Sequence, residues 1–283
     1  MPQVPARWAR RILLAGVLVV FLAGVAGWGL RKTLARQVLS GALAPFEAPR
    51  PALRSLAQYL AQPEQLHQQL REEQPDATTP RLQRAYLSVL QQDLALQVIA
   101  PLTLRLFRDG QAPLPEPDRI FLAPPRPEAG TPPMQARWFL APDQPTVTVA
   151  TFVQETGKRL EEWYAVFRHR LGISPGAYWS SMGLGLGAPF SAVWNLAEPA
   201  PLCEQANAWL AGFGNEVGRH LDWIPLTFNG QSCAIPQRRG CCLKYLLPEG
   251  GYCGTCGIYR KDRLAALSRQ TRSRAPGQWQ PGQ

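Results

Sequence analysis

Apolar residues recur at helical spacing along much of the chain. Leu53, Leu56 and Leu60 open a stripe that predicts a helix running on to Leu70. Leu82, Ala85, Tyr86, Val89, Leu90, Leu94 and Val98 predict a longer helix. It should end near Pro101, because proline lacks an N–H and its ring crowds the preceding turn. Val153, Leu160, Trp163, Tyr164 and Phe167 predict a helix over 152–170. Ala206, Trp209, Phe213 and Val217 predict another over 202–221, opened by Pro201. Between these lies a stretch with ten prolines from Pro113 to Pro145. Two short apolar runs there, 119–123 and 136–141, predict strands that pair as a hairpin across a long Pro-rich loop. The expected fold class is α+β: mostly helical with a small antiparallel strand element. No internal repeat is visible.

One run breaks the helical pattern by being apolar on every side. Residues 12–30 carry no charge and are flanked by Arg7, Arg10 and Arg11 before and by Arg31, Lys32 and Arg36 after. That length suffices for a transmembrane helix, and the balanced flanking charge gives no orientation. A cleavable signal peptide and a twin-arginine export signal share some of these features. The expected organisation is a basic segment with the transmembrane helix over 1–40 and a linker over 41–53. An α+β domain over 54–230 follows, then a cysteine motif over 231–263 and a polar tail over 264–283.

Charge sharpens this division. The 283-residue chain has a net charge of +10. Residues 1–40 and 231–283 are strongly basic, and the stretch between them is net acidic. The folded middle therefore lacks the basic face that nucleic-acid binding requires. Proline, at 28 residues, is about twice its usual share.

The densest chemistry lies near the C-terminus: Cys241-Cys242, ten residues, then Cys253-x-x-Cys256. Four thiolates within so short a span point to a metal centre rather than to a disulfide framework, which spreads its bridges over a domain. Soft thiolate ligands narrow the metal to zinc or iron–sulfur. A zinc ribbon normally supplies two Cys-x-x-Cys knuckles, and only one half here has that form. Adjacent cysteines on extended backbone point opposite ways, so the chain must bend there, and Gly240 would ease that bend. The spacing by itself leaves zinc and iron–sulfur both open. Arg238, Arg239, Lys244, Arg260 and Lys261 ring the motif. They either offset a negative cluster or form a solvated charged face.

Other signals are weaker. Glycines at 183, 185 and 187 superficially suggest a phosphate loop, but no strand precedes them, so dinucleotide binding is rejected. Tyr178, Trp179, Phe190 and Trp194 are either core or an aromatic platform. His67, His169 and His220 lack paired spacing, and Cys203 and Cys233 read as buried thiols.

The run from Arg239 to Tyr245, followed by Gly251 to Cys256, resembles the C-terminal signature of the FhuF-like ferric-siderophore reductases, Cys-Cys-x10-Cys-x2-Cys. The resemblance is sharp over about 30 residues and does not cover the N-terminal apolar segment. It implies that Cys241, Cys242, Cys253 and Cys256 ligate a [2Fe–2S] cluster. The implied reaction is one-electron reduction of a ferric siderophore to release Fe(II) for iron acquisition, with electrons from an external donor. Arg239, Lys244, Trp179 and Trp194 become the candidate substrate contacts. Familiar members lie at the cytoplasmic face of the bacterial inner membrane. A single-pass anchor here leaves a periplasmic domain as the alternative. A structural zinc site in a membrane-anchored protein and a general [2Fe–2S] electron carrier are the rival functions.

Overall fold

Helix starts in this chain are set by small polar caps and prolines. In the computed structural model, which describes residues 53–123, 137–228, 231–248 and 250–261, a two-residue strand β1 (Arg54–Ser55) runs into α1 (Leu56–Ala61). Ser55 and Gln58 cap that helix reciprocally. The apolar stripe from Leu53 does not form one helix. It breaks at Gln62, and α2 (Pro63–Glu73) starts afresh on Pro63. The expected transmembrane segment, most of the linker, the Pro-rich loop and the tail lie outside the described residues.

Thr79 accepts a hydrogen bond from the Leu82 N–H and caps α3 (Pro80–Leu94). The helix does not end near Pro101 as expected. A π-helical turn, Ala95–Ile99, follows α3 and leads straight into α4 (Ala100–Asp109), with Pro101 in its first turn. The wider turn relieves the clash between the proline ring and the preceding carbonyls. By length and composition this run, Pro80–Asp109, could cross a membrane, but 72% of its apolar window is buried inside the fold. It is a core helix.

Strand β2 (Gln111–Pro113) pairs with β5 (Thr146–Thr148). The expected hairpin is present as β3 (Ile120–Ala123) antiparallel to β4 (Arg137–Leu140), and β1 extends it to a three-stranded sheet. Helix α5 spans Val149–His169 and buries Phe152, Leu160, Trp163 and Phe167.

The central element is α6 (Pro175–Leu186), capped by Ser174. Its residues are buried on almost every side, so it has no amphipathic stripe and its sequence gives no helical period. Its glycines are packing surfaces. A Cβ on Gly185 would lie 2.5 Å from the Ala95 carbonyl oxygen, and one on Gly183 would lie 2.9 Å from Leu221. The π-turn and the C-terminal hairpin close onto α6 at these points.

A short α7 (Ala188–Ala192) leads to α8 (Pro199–Ala211). The helix expected to Leu221 stops ten residues early. Gly214 takes a left-handed φ of 70°, and α9 (Val217–His220) is a separate turn. Phe213 and Val217 are still buried, which explains the misleading period. Strand β6 (Leu221–Phe228) then pairs antiparallel with β7 (Gln231–Arg238), with Leu221 opposite Arg238. This hairpin spans the expected domain boundary at residue 230, so β7 belongs to the scaffold and carries the cysteine segment out of it.

Candidate metal centre

Strand β7 delivers the cysteines to the N-terminal end of α6. The Arg238 N–H donates to the Thr255 carbonyl at 3.2 Å, and the Arg239 N–H to the His220 carbonyl at 3.0 Å. The Gln237 side chain donates to the Cys256 carbonyl at 3.1 Å. Three glycines let the backbones stack. A Cβ on Gly240 would lie 2.2 Å from the Gly176 backbone, and one on Gly257 would lie 2.6 Å from the Gly240 carbonyl oxygen. Gly240 thus serves close approach. The bend after the cysteine pair falls on Leu243, whose φ is 62°. The apolar stretch between the two cysteine pairs anchors on α3, where Leu247 packs with Ala85 and Val89.

The thiols lie within electrostatic range of one another, Cys242 with Cys253 and Cys256 with both Cys241 and Cys253. Cys242 and Cys256 are each 2% exposed, whereas Cys241 and Cys253 keep a partly open edge. A hydrogen bond from Cys242 is the largest influence on Cys253 and draws it below the ordinary thiol range; Arg238 and Thr255 act in the same direction. The same bond, and then burial, push Cys242 up. The Leu243 N–H donates to the Cys241 sulfur at 3.4 Å. Among the described residues no three His, Cys, Asp or Glu side chains gather closely enough to hold a single metal ion. Four neighbouring thiols spread wider than a single-ion site suit a centre with two irons, each taking two thiolates.

The expected ring of cations divides. Arg239 and Arg260 both bind Asp222, at 2.6 and 3.3 Å. Lys244 is half-buried and acts on Asp93 of α3; burial pushes that carboxyl up to about 7, and Lys244 opposes the rise. Arg238 is fully buried. Its guanidinium donates to Ser180 Oγ (2.8 Å), Ser181 Oγ (2.7 Å), Gln92 Oε1 (2.6 Å) and the Ala177 carbonyl (3.2 Å). All four acceptors are neutral. A buried cation clasped only by neutral groups fits a site built to receive an anionic centre.

The aromatic candidates do not reach the cysteines. Trp179 is 1% exposed and packs on Tyr164 and Tyr178, so it offers no face to an outside ligand. Trp194 accepts from the Ala234 N–H. That residue is four positions before Arg238, roughly 13 Å back along the strand. The aromatics at the site are tyrosines. Tyr245 stacks on Tyr252 at 5.2 Å and 16°, and Tyr252 meets Tyr259 edge-on at 5.3 Å. Tyr252, Ile258 and Tyr259 are exposed. The sequence signal was there: each tyrosine lies within three residues of a cysteine. Cys203 and Cys233 are free and buried. Burial pushes Cys203 up to about 12, and it lies within electrostatic range of Cys233.

Compared with known families, residues 238–256 match the FhuF 2Fe-2S C-terminal domain. No curated protein matches the chain. The cysteine segment is therefore of the FhuF type, and its cofactor is a [2Fe–2S] cluster.

Proposed function

We propose that this protein reduces ferric siderophores by one electron, releasing Fe(II). The observation that carries the reading is the FhuF-type cysteine segment, whose Cys241 and Cys253 stay partly open beside an exposed tyrosine stack. Cys241, Cys242, Cys253 and Cys256 would hold the cluster. When bound, it supplies a one-electron couple, and Fe(II) is held far more weakly than Fe(III) by the hard oxygens of a siderophore. The scaffold buries Cys242 and Cys256, which limits water at that side. Tyr252 and Tyr259 present flat faces on which a chelate can rest. Lys244 and Lys261 add positive charge to this edge. The domain works at the cytoplasmic face of the inner membrane, tethered through residues 12–30 and fed by a cellular electron donor. Support for this placement comes from the uncharged run itself and from the need for a reductant.

The test is anaerobic. Protein reduced with dithionite and desalted is mixed with a ferric siderophore, and Fe(II) is captured by a ferrous-specific chelator. Fe(II) should appear as the cluster reoxidises. Tyr252→Ala should raise the siderophore concentration needed several-fold and leave the visible spectrum unchanged. Reoxidation no faster with siderophore than with buffer would overturn the reading.

A further inference from the structure

Arg238 carries the unexplained charge of this fold. It is among the largest fully buried side chains, beside Trp163 and Trp179. A guanidinium does not lose its proton in a protein. Burying it without a counter-charge is strongly unfavourable. Yet none of the ion pairs among the described residues involves it. Its hydrogen bonds reach α3 through Gln92 and α6 through Ala177, Ser180 and Ser181. These bonds satisfy donors but supply no negative charge. The Arg238 backbone N–H donates to the Thr255 carbonyl, between Cys253 and Cys256, at 3.2 Å, and Arg238 stands three residues before Cys241, where the cysteine segment leaves the core. The structure therefore places a fixed positive charge at the base of the cysteine segment and locks it to two core helices.

We propose that Arg238 is the built-in counter-cation of the cluster. It is a positioning residue that favours the reduced state and makes retention of the cluster depend on the seated α3–α6 core. Reduction adds one electron, and so one negative charge, at the site, with no bond made or broken. A buried cation stabilises the more negative state and shifts the couple upward. Without a cluster, the same cation is left with little compensation, so the empty protein should be strained at this point. The inference rests on the [2Fe–2S] assignment and is independent of the acceptor.

Three variants separate charge from shape: Arg238→Met removes the charge, Arg238→Lys keeps it but loses the fork, and the double Ser180→Ala/Ser181→Ala removes two acceptors only. The midpoint potential is read by dithionite titration of the purified, cluster-loaded protein. Arg238→Met should lower the reduction equilibrium constant at least tenfold, about 59 mV for a one-electron couple. Arg238→Lys and the double serine variant should stay within threefold of the unmodified protein. In melting experiments, the drop on stripping the cluster should be smaller for Arg238→Met than for the unmodified protein. If Arg238→Met holds no cluster, the other two variants decide. Potentials near that of the unmodified protein support the proposal, and a tenfold fall in Arg238→Lys overturns it. An Arg238→Met potential within threefold of the unmodified protein would also overturn it.

Discussion

Helix α6 and the cysteine segment lie against each other yet are held by different forces. Helix α6 is buried on almost every side. Tyr178 and Trp179 are buried among the aromatics of α5, and its glycines let neighbouring backbones come close. Among its described residues, segment 239–261 has two 3-10 turns and no other regular element beyond two final helical residues, Arg260 and Lys261. It buries Leu247 and two cysteines, and it exposes tyrosines. The helix is kept in place by area removed from water. The segment is kept by backbone contacts at Gly240 and Gly257, by Arg238 and by whatever its thiolates bind. A close-packed core needs no partner, whereas this segment reads as half of a structure that metal completes.

The largest expected effect breaks the segment and spares the core. Cys242→Ser should abolish the visible absorption of the cluster and all Fe(II) release, while far-UV circular dichroism keeps its helical amplitude. Loss of that amplitude would show that the two regions are one cooperative unit. Trp179→Ala attacks the other side and should cost about 3–5 kcal/mol in urea unfolding. The surviving folded fraction should still hold its cluster. Leu247→Ala loosens the contact of the segment with α3. It should cost about 2 kcal/mol and speed proteolysis within 243–252 before the core is cut.

The smallest effect is a pH dependence at the border. Burial holds the Asp93 carboxyl up at about 7, so the folded state binds its proton more tightly than the unfolded chain. The stability from this group is fully present below the ordinary carboxylate range and is lost as pH rises through about 7. The unfolding free energy from urea titrations should fall between pH 5 and pH 8 by about 2 kcal/mol. In Asp93→Asn that slope should flatten. An equal slope in both proteins would remove Asp93 from the account.

Legibility followed period and spacing. Helix α5 and the β3–β4 pair could be read because each has one wetter and one buried face, and α3 because its partly exposed first turns keep the helical phase. Helix α6 could not, since a fully buried helix has no period to read. The β6–β7 hairpin was hidden because Val217 and Phe213 continue a helical phase across the break at Gly214. The four cysteines were plain from spacing, but the substrate candidates were not. Trp179 belongs to the core, Arg239 is bound to Asp222, and the exposed aromatics are Tyr252 and Tyr259.

The sequence by itself determined which cysteines cluster, because residue type and spacing are local properties of the chain. It also determined which long segments are amphipathic. Only the tertiary structure decided that Arg238 is a buried charge and Arg239 a surface one, although they are neighbours in sequence. Burial is set by what packs from far away, here Gln92 and Ser180, and no local pattern records it. The same holds for Gly240, which lies against Gly176 rather than acting as a hinge.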